Sequence, residues 1–160
     1  MLKEYKGDLL KSGCDIICHQ VNLQGIMGGG LALQIATKYP ECEKEYKKYL
    51  ESVGKAQALY NIVNCYDYFG GKHLDKVVVN CFSQNEDFTT NYEQLKLIVK
   101  ELKKQIKTDC KLWLENHIIT IGIPKNYGCG IAKGNWETVK KIWCNAFKNE
   151  DKLELQIWEF

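Results

Sequence analysis

Only two prolines, no CxxC pair and no long apolar run occur in the 160 residues. Each scarcity removes a class of protein. A membrane-spanning helix needs roughly 20 consecutive apolar residues, and none is present. The N-terminal stretch MLKEYKGDLL lacks the hydrophobic region of a secretory signal, so the expected location is cytoplasmic, with no membrane partner. The eight cysteines, at 14, 18, 42, 65, 81, 110, 129 and 144, and the histidines at 19, 73 and 117 are scattered, without zinc-ligand or disulfide-framework spacing. Most of the cysteines lie in apolar runs, where a reduced thiol serves as a small hydrophobe. No metal and no cofactor is called for.

A basic block is also missing. The formal charge is +2, with lysines spread along helical stretches beside glutamates, as in Glu43-Lys44-Glu45, so direct nucleic-acid readout is not expected. GxxxxGK[ST] does not occur, and the spacing of Met27-Gly28-Gly29-Gly30 is not that of GxGxxG, which argues against a nucleoside-triphosphate loop and a dinucleotide fingerprint.

What the sequence does have is a pair of glycine loops. Ile16-Ile17-Cys18, with Val21 beyond, has the length and branching of a buried strand. It is followed by a polar corner from His19 to Gln24, then Gly25, Gly28, Gly29 and Gly30, and an apolar stretch from Leu31 that can enter a helix. Glycines between a strand and a helix start can turn successive N–H groups toward an anion, although a tight ligand-free connection would use them too. A second such loop, Tyr127-Gly128-Cys129-Gly130-Ile131-Ala132-Lys133-Gly134, stands between another strand and helix. Two loops of this kind could hold a diphosphate from both sides.

Around them, elements alternate. Residues 2–6 suit a short edge strand, and Gly7-Asp8 a turn in which Asp8 either caps the next residues or hydrogen-bonds a ligand base. The pattern predicts helices over 31–39 and 41–53, separated at Pro40, a strand over 56–65, and a hairpin-like loop over 66–75 containing Gly70-Gly71. Lys76 to Phe82 is the most β-rich run and is expected centrally in the sheet. Ser83 to Thr90 is a polar loop after that strand, making Gln84, Asn85, Glu86 and Asp87 candidates for a site. Thr90-Asn91-Tyr92-Glu93 reads as a capping box before a long amphipathic helix. A short helix over 110–115, a strand over 117–123, a helix capped by Asn135 and a terminal alternating strand over 153–160 complete the chain.

This order implies an α/β fold: a three-layer α/β/α sandwich around a mixed, mostly parallel sheet of about six strands, formed as one domain over 1–160. The chain ends are expected to supply the antiparallel or edge strands.

The motifs Gly7-Asp8-Leu9, His19-Gln20-Val21-Asn22 with Met27-Gly28-Gly29-Gly30, Asn80-Cys81-Phe82-Ser83-Gln84, Thr90-Asn91-Tyr92 and Gly128 to Trp136 resemble, in order and spacing, a macrodomain, the ADP-ribose-binding module. The resemblance covers nearly the whole chain. It leans toward the branch of ADP-ribose-1″-phosphate phosphatases and small ADP-ribosyl hydrolases. It implies a chain, expected as a monomer, that binds ADP-ribose or an ADP-ribosylated target and hydrolyses a bond at the distal ribose, the alternative being a non-catalytic reader. By position, Asp8 and the Leu9 backbone would meet adenine, Asn22 the distal ribose, and Gly28, Gly29, Gly30 and Leu31 with Gly128, Cys129, Gly130, Ile131 and Ala132 the diphosphate. Trp158 or Phe160 would lie against adenine. The lysine and aspartate of the glutamate-type hydrolases are replaced here by Ser83-Gln84 and Ala132. His19 is then the expected general base, with Asn22 orienting the ribose, and Asp87 or Glu86 in reserve. Cys129, beside phosphate-facing amides, is expected to have a lowered pKa.

Overall fold

The computed structural model describes residues 1–69 and 72–160, the side chains of 67–75 excepted. In chain order the elements are β1 (Leu2–Lys6), β2 (Ile16–Gln20), α1 (Gly30–Lys38), α2 (Pro40–Val53), β3 (Tyr60–Phe69), β4 (Lys72–Cys81), α3 (Tyr92–Asp109), β5 (Ile119–Pro124), α4 (Trp136–Phe147) and β6 (Leu153–Glu159), with 3₁₀ turns at Leu9–Lys11 and Trp113–Glu115.

The strands form one sheet in the order β1-β6-β5-β2-β4-β3. Every neighbouring pair is parallel except β3 with β4. The antiparallel strand therefore lies inside the sequence, not at a chain end; β1 is the expected edge strand, and it runs parallel. The β-rich 76–82 run belongs to β4, which lies second from the edge, whereas β5 and β2 occupy the middle.

The expected loop over 66–75 is largely strand. The ladder continues out to Phe69 opposite Lys72, as the β-favouring residue types Tyr66, Tyr68 and Phe69 allow, and only Gly70-Gly71 fall outside the described residues. The strand foreseen from Ala56 begins at Tyr60.

Period-2 alternation along β2 divides the core. Ile16 and Cys18 face the layer of α3 and α4, where Leu95, Ile98, Leu102, Val139 and Trp143 are fully enclosed. Ile17 faces α1 and α2, against Ile35, Tyr39, Cys42 and Tyr46. Burial of this apolar surface, at roughly 25 cal/mol per Å², is the main term holding the three layers together. Along the alternating β6, Glu154 and Gln156 are buried with the apolar positions. They bond to each other at 2.8 Å, Glu154 pairs with Lys3 at 3.3 Å, and the Gln156 carbonyl accepts from Cys14 and Trp158.

Gly122 in β5 is fixed by close packing. A Cβ there would come within 2.7 Å of Leu9 Cδ1 and 2.8 Å of Cys14 Sγ, so glycine is what lets the 8–14 segment press onto the sheet. The cap of α3 is Asn91, whose side chain accepts from the Gln94 N–H at 3.0 Å. The expected capping box at Thr90 does not form, because the Thr90 hydroxyl is committed elsewhere.

Candidate functional site

Five parallel strands bring five connections to one end of the sheet. Gly7-Asp8 follows β1, residues 21–29 follow β2, 83–91 follow β4, 125–135 follow β5, and the chain end follows β6. From β2 the chain leaves to the α1 and α2 face, and from the neighbouring β5 to α4 on the other. Such a divergence opens a crevice at the carboxyl ends of the strands, the usual ligand position in α/β sheets. From β1 to β4 there are four strand spacings of about 4.8 Å, giving a cleft roughly 19 Å long.

The first glycine loop is built around Asn22. Its Oδ1 accepts from the N–H of Gln24 at 2.9 Å and from the Tyr46 hydroxyl at 2.7 Å, while its Nδ2 donates to the Ile26 carbonyl at 2.8 Å. Met27, 3% exposed, anchors the loop in the core. Gly28, Gly29 and Gly30 then emerge at the surface, Gly29 caps α1 without a side-chain bond, and Gly30 takes the left-handed φ of 56°. Among the described residues, the N–H groups of Gly28, Gly29, Gly30, Leu31 and Ala32 have no acceptor.

The second loop is held by its own turns. Cys129 N–H bonds Asn126 O, Lys133 N–H bonds Gly130 O and Gly134 N–H bonds Gly128 O, which leaves the N–H groups of Gly130, Ile131 and Ala132 without an acceptor among the described residues. Gly128, at φ 69°, is dictated by its neighbours: a Cβ would sit 2.8 Å from Thr90 Oγ1 and 2.9 Å from Gln20 Nε2. Around Gly130, by contrast, there is open space.

A polar network ties both loops to the 83–90 segment. Gln20 Nε2 donates to Ser83 O and Oγ at 3.1 Å and lies 3.3 Å from Thr90 Oγ1, while Gln84 Nε2 donates to Gln20 Oε1 at 2.8 Å. Thr90 donates from Oγ1 to Gly128 O at 2.7 Å and from its N–H to Ala132 O at 3.0 Å. Ser83 Oγ and the Tyr127 hydroxyl are 2.7 Å apart. Gln20, Thr90 and Tyr127 were not singled out as site residues from sequence. The available signal was a glutamine ending a buried strand, one residue after a histidine pointing the other way.

At the β1 end, Asp8 Oδ1 accepts from the Leu10 N–H at 2.9 Å, so its capping role is realised, and Leu9 is buried beside it. Trp158 stacks on Tyr5 with centroids 4.8 Å apart, bonds Gln156 through Nε1 and lies under Gly7, whereas Phe160 is 99% exposed.

No family model matches the sequence. An ADP-ribose 1″-phosphate phosphatase of Lodderomyces elongisporus is 24% identical over 147 residues, covering 88% of this chain and 89% of that protein. The macrodomain of Mycobacterium tuberculosis DarG superposes with a TM-score of 0.78 at 23% identity, covering 99% of this chain and 97% of the other. Thermosipho africanus DarTG, solved in complex with ADP-ribose, gives a TM-score of 0.73 at 15% identity over 96% of this chain and 40% of its own. The fold is that of a macrodomain.

In this macrodomain fold, the side chain foreseen as general base is buried. His19 points into the α2 layer, is 1% exposed, and has its Nε2 2.6 Å from Asn80 Oδ1. Cys42 donates to the same Asn80 oxygen at 3.3 Å. A general base must reach the water it activates, and the observed His19 contact is with Asn80. The Cys129 thiol shifts opposite to expectation: burial pushes it up, and its Sγ donates to Tyr127 O at 3.2 Å. Asp87, whose carboxylate accepts from the Thr89 hydroxyl and N–H, is held below the ordinary range and is a weak base. Glu86 pairs with Lys55 at 3.8 Å on the exposed rim.

Proposed function

We propose that this chain binds ADP-ribose along the cleft and hydrolyses a bond at its distal ribose, either a 1″-phosphate or the link to a modified target. The observation that carries the reading is the pair of amide rows without an acceptor among the described residues, Gly28 to Ala32 and Gly130 to Ala132, in loops that follow the adjacent strands β2 and β5. Preorganised N–H groups satisfy a diphosphate without a metal or a cationic side chain, and the start of α1 adds its positive dipole.

In this assignment Asp8 and the Leu9 N–H serve the adenine at the β1 end, with Trp158 bordering it. The Gly28–Leu31 and Gly128–Ala132 backbones hold the diphosphate. Asn22 uses one amide hydrogen within its loop and keeps the other for the distal ribose. The similarity to a protein named ADP-ribose 1″-phosphate phosphatase, and to a solved DarTG with ADP-ribose, supports both the ligand and a hydrolytic reaction. Water adds OH to one side of the cleaved bond and a proton to the other. Orientation by the loops and amide stabilisation of negative charge supply the catalysis. We further assign the 160 residues to a single, monomeric, cytoplasmic domain.

The burial of His19 favours one second reading, a non-catalytic reader of ADP-ribose. Calorimetric titration with ADP-ribose, against AMP and ATP, tests the binding; release of inorganic phosphate from ADP-ribose-1″-phosphate separates enzyme from reader. Micromolar binding with turnover is the expected result. Binding without turnover of this ester or of an ADP-ribosylated protein would establish the reader.

A further inference from the structure

Cys42, in the first turn of α2, and Cys65, in β3, meet between the sheet and the layer of α1 and α2, both fully buried. Their thiols are hydrogen-bonded to each other, whereas the other acceptor of Cys65, Val63 O, is 3.8 Å away. Cys42 also touches a polar pair. Its Sγ is 3.3 Å from Asn80 Oδ1, and the same oxygen is 2.6 Å from His19 Nε2. Asn80 Nδ2 and His19 Nδ1 are buried without a partner among the described residues, an arrangement that a cysteine serving only as a small hydrophobe would not need.

These contacts set Cys42 apart from the other cysteines. The Cys65 donor, helped by His19 and Asn80, outweighs the opposing desolvation and holds the Cys42 thiol down to about 6. Cys65 is pushed up and keeps its proton. Burial raises the thiols of Cys14, Cys18, Cys110, Cys129 and Cys144. As a thiolate Cys42 no longer donates to Asn80; a half-turn of the Asn80 amide brings the unpaired Nδ2 to the place of Oδ1, where it donates to the sulfur. The first turn of a helix is where local opening starts, and α2 begins at Pro40, two residues before Cys42, so a small oxidant gains entry there.

We infer that Cys42 and Cys65 form a peroxide-sensitive thiol–disulfide switch that acts on the first glycine loop. The Cys42 sulfur attacks hydrogen peroxide and breaks its O–O bond, giving a sulfenic acid and a hydroxide that takes up the proton Cys42 had released. The Cys65 sulfur then displaces the Cys42 hydroxyl, which leaves as water with the Cys65 proton. Two thiols lose two electrons and the peroxide is reduced to two waters. A disulfide is shorter than any thiol–thiol contact, so the bond draws the start of α2 onto β3. Tyr46, one turn beyond Cys42 on the same helix face, holds Asn22 through its hydroxyl and carries the shift into the loop. The effect on ligand rests on the ADP-ribose reading above; the disulfide itself does not.

The test treats the full chain with hydrogen peroxide, alkylates the remaining thiols, maps disulfides by mass spectrometry, and titrates ADP-ribose before oxidation, after it, and after dithiothreitol. The expected product is a Cys42–Cys65 bond, with Cys18 and Cys81, which also touch, left reduced. ADP-ribose affinity falls about fivefold, the scale of one hydrogen bond, and dithiothreitol restores it. Cys65→Ala binds like the reduced protein and no longer responds to peroxide. Recovery of Cys42 and Cys65 as free thiols would overturn the inference, and so would a mapped bond with unchanged affinity. An equal peroxide response in Cys65→Ala would also overturn it, by placing the sensitive thiol elsewhere, as at Cys129 of the second loop. If the reduced protein does not bind ADP-ribose, the ligand reading and the switch fall together, while the mapping still decides whether the two thiols join.

Discussion

The Tyr46 hydroxyl lies 2.7 Å from the backbone oxygen of Asn22 and 2.7 Å from its side-chain Oδ1. One proton is shared between two acceptors of the same residue, so α2 is clamped to the polar corner of the first glycine loop. Tyr46→Phe removes that proton and leaves the Asn22 backbone oxygen without this donor, while Oδ1 keeps the Gln24 N–H, a change costing about 1–3 kcal/mol. Urea unfolding reads the stability loss. Because the clamp sets the shape of the loop, ADP-ribose affinity falls too, and affinity equal to that of the unaltered protein would show that the loop holds itself.

Glycines in the two loops divide by what a methyl group would meet. At Gly29 and Gly130 a Cβ finds open space, and neither is held at positive φ. Gly29→Ala and Gly130→Ala are therefore expected to melt with the unaltered protein and to lose ADP-ribose binding at least tenfold, since the methyl occupies room a phosphate needs. Gly128→Ala differs, because its Cβ would collide with Thr90 Oγ1 and Gln20 Nε2, so both stability and binding decline. Full binding by Gly29→Ala would move the diphosphate away from this loop.

The sequence made these loops visible because glycine spacing and strand periodicity are local properties. The layer order was legible for the same reason, each helix carrying its own stripe. What it could not reveal was cross-strand geometry. The direction of His19 depends on the period-2 phase of β2, and its neighbour Gln20, one residue on, is the side chain that reaches Ser83 and Thr90. Thr90 reads locally as a cap, yet Gly128, 38 residues away, claims its hydroxyl. The position of β4 in the sheet likewise follows from crossover connections that leave no mark on the strand itself.

His19 gives the sharpest contrast between the two levels. Its ring fills space between β2 and α2 and bonds Asn80, so His19→Ala opens a cavity beside an amide oxygen left with the weak Cys42 thiol donor and costs several kcal/mol, on the order of 2–4. Activity per folded molecule, measured as phosphate release below the melting temperature, is expected to stay within about twofold. A loss of a thousandfold or more, the scale of a missing general base, with ADP-ribose affinity intact, would restore His19 as the catalytic group.

Alkaline pH tests the buried phenols. Desolvation raises Tyr46 to about 12 and lifts Tyr127 well above its ordinary value, although Ser83 pulls Tyr127 the other way. In the unfolded chain both ionise near 10. Between pH 10 and about 12 the unfolded state therefore holds fewer protons than the folded one, and stability falls as pH rises, by up to about 1.4 kcal/mol per unit for each phenol. Burial also raises the Cys14 and Cys18 thiols, so the decline begins before the phenols join it. Tyr46→Phe isolates one contribution: its unfolding free energy, followed by urea titration from pH 8 to 11.5, should fall less steeply above pH 10 than that of the unaltered protein. Parallel curves would mean that the Tyr46 phenol is solvated well enough to ionise in the folded state, which contradicts the clamp on Asn22.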